Sequence, residues 1–236
     1  MKKWTFILGI AVAACLLNSS SMHAAEISSN GSQKPKTQPY VVKNFDKLLG
    51  KIQGLNDDLL KMHFKLYQGY VNNTNTLLKK IQELDEKKEN RTPDYAGLKR
   101  MLGWEFDGML LHEYYFENLG GTEPLAKDDP LMKQIETDFG SFDKWKDDFT
   151  ATGLIRGIGW VVTYVEPNQG RLINEWINEH DVGHLSGAKP LLVMDVFEHA
   201  YITQFGLERA KYIDIFHNNT DWFVVSKRFQ EASAAK

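Results

Sequence analysis

Cysteine is almost absent from the sequence: its 236 residues include only one, Cys15. One cysteine cannot form a disulfide within the chain, and cleavage near Ala25 would leave the mature protein with none. Disulfides, thiolate metal sites and cysteine nucleophiles are then excluded. The chemistry of the mature protein must come from other side chains.

The sequence also lacks an excess of positive charge. Lys and Arg number 28 against 31 Asp and Glu, which gives a formal net charge of -3. This balance argues against a general nucleic-acid-binding protein, so no nucleic-acid partner is expected. Hydrophobic residues at 42% and charged residues at 25% are ordinary for a soluble globular protein. The length allows one large domain or two small ones.

The N-terminal segment has the composition of an export signal. Two lysines precede an apolar run from Trp4 to Leu17, which is short for a transmembrane helix. We predict a signal peptide over residues 1–25 and an exported product, periplasmic or secreted. A second interpretation is a lipoprotein, because the four residues that end at Cys15 resemble a lipoprotein box; membrane attachment would then follow from lipidation. An uncleaved anchor is a third.

Residues 26–43 are polar and contain Gly and Pro, a composition typical of a linker. An N-terminal domain of two helices is predicted for residues 44–121. Apolar residues recur at helical spacing between Asn44 and Asn90, and a second helical run extends from Tyr95 to Leu119. A charged, Pro-containing break separates the runs and predicts an antiparallel hairpin. The apolar stripe of the first helix is predicted to consist of Leu48, Ile52, Leu55, Leu59, Met62, Leu66 and Tyr70.

The remaining residues, 122–236, are predicted to form an α/β domain. Helices are expected after Pro130, after Ser141, and over residues 205–216 and 222–229. Between these helices lie segments with the composition of strands.

Three strands are predicted within this domain. The segment Trp160–Val165 is rich in β-branched and aromatic residues, and a turn separates it from a return strand that ends at Asn178. A third, apolar run begins at Pro190 and ends at Asp195. The fold class is therefore α+β: an N-terminal antiparallel helical hairpin followed by an α/β domain with a three-stranded antiparallel sheet.

Histidines and one aspartate are the candidates for metal chemistry. Asp195 ends a buried strand, and a buried carboxylate needs a partner. His199 follows four residues later with Glu198 beside it, an arrangement typical of a metal ligand oriented by a carboxylate. His63 and His112 each lie on one helix of the hairpin, and metal sites are often built in the core of helical bundles. The alternative is a surface pair at the strand end and two core histidines, each satisfied by one hydrogen bond.

Several motifs together resemble the iron/manganese superoxide dismutase family. The most specific is Asp195-Val196-Phe197-Glu198-His199-Ala200-Tyr201, which is similar to the family's D-x-W-E-H-A-Y signature. The supporting motifs, in matching order, are Tyr70-Val71-Asn72-Asn73, His112, Asp138-Phe139-Gly140-Ser141 and Gly157-Ile158-Gly159-Trp160. The resemblance covers roughly residues 44–229. It implies the same hairpin and sheet that the pattern of residues predicts.

The resemblance implies a metal-dependent enzyme that disproportionates superoxide to oxygen and hydrogen peroxide. Its ligands would be His63, His112, Asp195 and His199, with one Fe or Mn ion per subunit. It also implies a homodimer with the metal site near the interface, where Glu198 would hydrogen-bond a ligand histidine of the other subunit. The choice between iron and manganese, and between a dimer and a tetramer, stays open.

The resemblance also implies residues around the metal. Tyr70 would be the gateway residue of the substrate channel, and Trp160 and Phe197 would wall the site. His180 stands in the loop where many relatives have a Gln that donates a hydrogen bond to solvent on the metal. We expect it to tune the solvent proton and the redox potential, although the nearby His184 is an alternative for this position.

Departures from the family pattern support a rival interpretation. Tyr70 follows His63 by seven residues where the family usually has eight, Phe197 replaces a Trp, and Ile202 replaces a Tyr. These changes are the basis for considering a non-catalytic metal-binding or structural relative that kept the fold. The complete set of ligand residue types favours the enzyme.

Electrostatic steering of the substrate is a further expectation. Superoxide is an anion and the chain has a net negative charge, so a local positive potential is expected at the channel. Lys61, Lys65 and Arg209 are the candidates to supply it.

Overall fold

The computed structural model describes residues 38–234, and from Pro39 onward these form one compact unit. The predicted signal peptide, Cys15 and most of the predicted linker lie outside the described residues. Within residues 38–234, no helix is both long enough and apolar enough to cross a membrane.

Two long helices form the predicted antiparallel hairpin: α1 (Asp57–Glu86) and α2 (Pro93–Glu117). The side chain of Asn56 caps α1 by accepting the third backbone N–H, and Thr92 caps α2 in the same way. Pro93 takes the first position of α2, where its missing N–H has no helical partner to lose.

The first helix begins later than the apolar spacing predicted. Between Asn44 and Asn56 the chain forms only one short 3-10 turn, Asp46–Leu48. Gly50 and Gly54 adopt φ angles of 72° and 89°, a left-handed backbone that interrupts a helix and that glycine adopts without steric cost. The helical periodicity therefore reflected burial of this segment rather than its conformation.

The buried face of α1 also differs from the predicted stripe. Met62 was placed in the stripe, yet its side chain is 41% exposed. The buried residues of α1 are Leu59, Leu60, His63, Phe64, Tyr67, Val71, Thr74 and Ile81. The prediction used apolar residues alone, whereas the face that packs on α2 includes polar ones. His63 thus lies on the inner face of the hairpin.

Five shorter helices complete the helical part of the described chain. They are α3 (Pro130–Phe139), α4 (Phe142–Gly153), α5 (Ile202–Phe205), α6 (Arg209–Asn218) and α7 (Trp222–Ala234). The helix predicted over residues 205–216 was wrong in its first part, because the chain turns at Gly206 with φ 55° and α6 begins only at Arg209. The last helix continues beyond the predicted end at residue 229.

The three-stranded antiparallel sheet is confirmed. Its strands are β1 (Gly159–Val165), β2 (Leu172–Asn178) and β3 (Lys189–Asp195), in the order β2-β1-β3. All residues of the central strand β1 are buried. The register sets Trp160 directly opposite Asp195, so the two side chains leave the same face of the sheet. That face, at the end of β3, meets the helical hairpin.

Candidate metal centre

Four side chains predicted as ligands meet at one point. One ligand atom from each of His63, His112, Asp195 and His199 lies within 4.8 Å of the others. They come from α1, α2, the last residue of β3 and a short 3-10 turn, Glu198–Ala200. The first three side chains are buried, and that of His199 is 23% exposed.

The carboxylate of Asp195 is the centre of this cluster. Its Oδ2 atom lies 3.1 Å from Nε2 of His63, 3.0 Å from Nε2 of His199 and 3.7 Å from Nε2 of His112. Its Oδ1 atom accepts the backbone N–H of Phe197 at 2.8 Å, and this bond fixes the carboxylate plane. One oxygen is thus held by the backbone while the other faces three imidazole nitrogens.

The electrostatics of the cluster suit a cation. Burial lowers the pKa of His63 and lowers the pKa of His112 well below its usual value, so both rings are neutral at pH 7. Burial acts to raise the pKa of Asp195, but the neighbouring His199 and His63 outweigh it and hold that pKa well below its usual range. Neutral imidazoles and an ionised carboxylate are the protonation states in which these groups bind metals.

The second ligand histidine shows most directly that the site fits a metal ion. Nδ1 of His112 lies 2.5 Å from the backbone oxygen of Gly108 and donates its proton there, so Nε2 carries the lone pair. That Nε2 atom is buried and has no hydrogen-bond partner among residues 38–234. An unpaired buried nitrogen costs stability unless a partner, here a cation, is bound.

Tyr70 lies on the same face of α1 as His63. Helix α1 is regular from Asp57 to Glu86, and seven residues make about two turns of an α-helix. The seven-residue spacing therefore brings the tyrosine to the site without displacing the histidine. The Tyr70 ring stacks on His112 with a centroid distance of 5.0 Å. Gly108 permits this approach, because a Cβ atom there would lie 2.7 Å from the Tyr70 ring.

His180 connects Tyr70 to Trp160. The Trp160 Nε1–H can only donate, and it donates to Nδ1 of His180 at 3.0 Å. The proton of the neutral imidazole is therefore on Nε2, which lies 2.7 Å from the Tyr70 hydroxyl and donates to it. Burial lowers the pKa of His180 to about 4, which keeps the ring neutral at pH 7. His180, not His184, contacts Tyr70.

Aromatic rings enclose His180 and the candidate ligands. The Phe197 ring stacks on His180 at 4.7 Å, and the Trp160 ring meets His112 edge-on at 4.9 Å. Trp104 of α2 closes another side of His180 at 4.6 Å. Apart from its position on a helix, no sequence pattern pointed to Trp104.

Two tyrosines behind the ligands were also missed. The Tyr212 hydroxyl donates to the backbone oxygen of Asp195 at 2.7 Å and lies 3.1 Å from the Tyr115 hydroxyl. The Tyr115 ring packs 5.2 Å from that of His63. Tyr115 could have been identified because it follows His112 by three residues on the same helix. No sequence pattern near Tyr212 links it to the site.

The remaining predicted residues do not belong to the ligand cluster. The Glu198 side chain is exposed and makes no hydrogen bond or ion pair within the part of the chain described. Lys61 and Lys65 are each two residues from His63, roughly 200° around α1, and are exposed on its far side. The structure therefore does not place these lysines beside the ligands. Arg209 donates to the backbone oxygens of Ile155 and Gly157 and to the Tyr201 hydroxyl, so it fixes the loop before β1.

Comparison with known proteins agrees with this geometry. Residues 127–228 match the family model described as iron/manganese superoxide dismutases, C-terminal domain. The chain is 37% identical to the superoxide dismutase (Fe) of Cupriavidus metallidurans over 187 residues, covering 77% of this chain and 92% of the relative. The superoxide dismutase (Fe) of Pyrobaculum aerophilum is 32% identical over 75% of this chain and 85% of its own length. The superoxide dismutase (Mn) 2 of Haloferax volcanii is 31% identical, with 75% and 88% covered.

Proposed function

The chain belongs to the iron/manganese superoxide dismutase family, and we propose that His63, His112, Asp195 and His199 hold its metal ion while Tyr70 and His180 handle the protons. The reaction converts one superoxide to oxygen and a second, with two protons, to hydrogen peroxide. The bound Fe or Mn ion supplies the one-electron redox couple for both halves. The chain supplies the ligands, the proton donors and the enclosure.

The protonated Tyr70 is the group that faces the reacting centre. Burial raises the pKa of Tyr70, so its hydroxyl keeps its proton at neutral pH. Because Nε2–H of His180 already donates to the hydroxyl oxygen, the O–H of Tyr70 is free to donate toward the ligand cluster. His180 thus orients the hydroxyl, and the Trp160 N–H fixes the tautomer of His180.

The enclosure limits access to this donor. The rings of Phe197, Trp104 and Trp160 surround His180, and its imidazole is buried. A dry setting strengthens the hydrogen bonds between these groups. It also restricts the site to small molecules, such as superoxide, that can approach between the rings.

The convergence of three imidazole nitrogens on one buried carboxylate, next to the Tyr70–His180 pair, supports this assignment most strongly. The test measures metal content and superoxide consumption of the purified mature protein and of His63→Ala. Lys61→Ala, on the far side of the same helix, is the matched control. We expect stoichiometric metal and activity in the wild type and in Lys61→Ala, and neither in His63→Ala.

Metal without superoxide consumption in the wild type would instead support the non-catalytic alternative. The main basis for that alternative was the seven-residue spacing of His63 and Tyr70, and the regular α1 helix accommodates this spacing with both side chains at the site. The replacements at Phe197 and Ile202 were its other basis, and neither removes one of the four candidate ligands.

A second proposal concerns the subunit arrangement. We propose a homodimer in which Glu198 of one subunit hydrogen-bonds His199 of the other. Its support is that the Glu198 side chain is exposed beside a ligand histidine whose Nδ1 makes no hydrogen bond within the described residues. Light scattering on Glu198→Ala and on the wild type tests it: the variant should show more monomer and less bound metal, and an unchanged dimer with full metal would contradict the proposed contact.

A third proposal concerns location. We propose that residues 1–25 direct export and are removed, since two lysines and a short apolar run precede polar residues and Ala24-Ala25. The alternative is lipidation at Cys15. Intact-mass measurement of the processed protein separates them, because a soluble product begins near Glu26 whereas a lipoprotein begins at a modified Cys15 and partitions with membranes.

A further inference from the structure

The loop after β2 carries His180, and this loop is mostly exposed. From Asp181 to Gly187 only Leu185 is partly buried. The turn into the loop contains Glu179 with φ 55°, a left-handed conformation that costs a non-glycine residue free energy. A single backbone bond, from Asn178 N–H to the oxygen of Val182, closes this turn. The backbone at His180 therefore needs further support to hold its imidazole in a fixed place.

His184 supplies a contact of that kind. Its Nε2 atom lies 2.7 Å from the backbone oxygen of His180, four residues earlier in the chain. Its Nδ1 atom lies 2.7 Å from the hydroxyl of Tyr164. Asp107 of α2 lies 3.7 Å from the same Nε2 atom. The imidazole thus bridges the exposed backbone turn and two regular elements, β1 and α2.

The hydrogen-bond directions follow from the partners. A backbone oxygen only accepts, so Nε2 of His184 carries a proton and donates it to His180. In the neutral ring Nδ1 then accepts from the Tyr164 hydroxyl. Both nitrogens of His184 are used, and Tyr164 itself is buried in the central strand. The carbonyl of His180 is therefore tied to the rigid core of the sheet through one side chain.

We propose that His184 is a positioning residue for the dismutase reaction, which holds His180 at hydrogen-bonding distance from Tyr70. It does so from outside the site, because its side chain contacts the backbone of His180 and not Tyr70 or the ligands. This inference rests on the proposed role of His180. The sequence offered His184 only as an alternative to His180, whereas the structure gives each histidine a separate task.

The test compares metal-loaded variants of the full protein. His184→Ala should lower superoxide turnover by about three- to tenfold, the factor for losing one hydrogen bond that orients an active group, with metal content unchanged. His184→Gln keeps a side-chain N–H and should recover most of the activity. Val182→Ala, which removes an exposed side chain from the same loop, should behave as the wild type. Tyr164→Phe, which leaves the imidazole in place, should give a smaller loss in the same direction.

Two readouts separate positioning from a general loss of structure. In a His180→Ala background, adding His184→Ala should cause no further loss, because His184 acts only through His180. A crystal structure of the metal-loaded His184→Ala variant should show the His180–Tyr70 contact lengthened beyond hydrogen-bonding distance. If His180→Ala is impaired, either of two results would overturn the inference. These are wild-type turnover in His184→Ala, and losses that multiply in the double variant. Wild-type turnover in His180→Ala would instead overturn the proposed role of His180 itself.

Discussion

The imidazole of His180 lies between the side chains of Trp160 and Tyr70, at 3.0 Å from the indole nitrogen and 2.7 Å from the hydroxyl oxygen. It accepts on one nitrogen and donates on the other. A glutamine amide offers the same pair, a carbonyl oxygen and an N–H group. The geometry thus explains why a histidine can stand at a position where a glutamine would serve.

The first prediction uses this equivalence. His180→Ala removes both contacts and should lower superoxide turnover about 10- to 100-fold, because Tyr70 loses the group that orients it. His180→Gln should retain a much larger share of the activity. Stopped-flow measurement of superoxide decay, normalised to metal content, checks both variants. Equal losses in the two would show that the contacts to Trp160 and Tyr70 do not matter for turnover.

The second prediction concerns metal removal. The Nε2 atom of His112 is buried and has no hydrogen-bond partner within residues 38–234, so a bound metal should stabilise the folded state strongly. Adding metal to the metal-free protein at about 100 times its dissociation constant should raise the unfolding free energy by about 2.7 kcal/mol. The increase should vanish in His112→Ala, as judged by thermal unfolding with and without metal. An equal increase in that variant would mean that the metal binds elsewhere.

The third prediction concerns the glycine that admits Tyr70 to the site. A Cβ atom at Gly108 would lie 2.7 Å from the Tyr70 ring, so Gly108→Ala must push the ring away from His112. We expect a loss of about 1–3 kcal/mol in unfolding free energy and reduced turnover with metal still bound.

A matched control for this variant lies on the same helix. Gly97 is in α2, and a Cβ atom there would meet nothing within 4 Å. Gly97→Ala should therefore stabilise the protein by about 0.5–1 kcal/mol through helix propensity without changing turnover. Chemical denaturation and superoxide decay, measured on both variants, test the expected stability and turnover. If Gly108→Ala behaved like Gly97→Ala, Tyr70 would not depend on that close contact.

The fold could be predicted from the sequence where a local signal decides the structure. The Pro-containing break at Pro93 and the β-branched run of β1 each act within a few residues, and the hairpin and the strands were predicted from such signals and from the apolar spacing. The late start of α1 was missed, because the apolar spacing continues upstream of the Asn56 cap. The apolar spacing from Leu48 to Leu55 comes from packing, while the backbone is set by two glycines in left-handed conformations.

The candidate site, like the fold, could be predicted from the sequence only in part. The four candidate ligands were predicted because the resemblance joined distant residues, and the structure brings all four together. The seven-residue spacing of His63 and Tyr70 was taken as a departure, although it is the natural repeat of two helical turns. The links from His180 to Tyr70 and from His184 to Tyr164 join residues far apart in the chain, and no local pattern predicts such contacts.

The last prediction concerns pH and His217, a buried histidine that is not among the candidate ligands. His217 is 8% exposed, and its Nε2 lies 3.1 Å from the Thr150 hydroxyl. Burial, with a contribution from Lys146, lowers the pKa of His217 from 6.5 to about 4. Between these pH values the unfolded chain binds a proton at this position and the folded protein does not. Stability should therefore fall as the pH drops from 6.5 to 4, by at most about 3 kcal/mol from this group.

A non-titrating variant isolates this contribution. In His217→Gln the side chain can still bond Thr150 but takes up no proton, so its unfolding free energy should decline less between pH 7 and pH 4 than that of the wild type. Urea denaturation of both metal-free proteins at each pH measures the difference, and the contributions of the ligand histidines cancel in the comparison. Below about pH 4 the two curves should run parallel, because both states of the wild type are then protonated. Parallel curves over the whole range would show that His217 titrates alike in the folded and unfolded chains, and the acid sensitivity of the fold would then have to come from other buried groups.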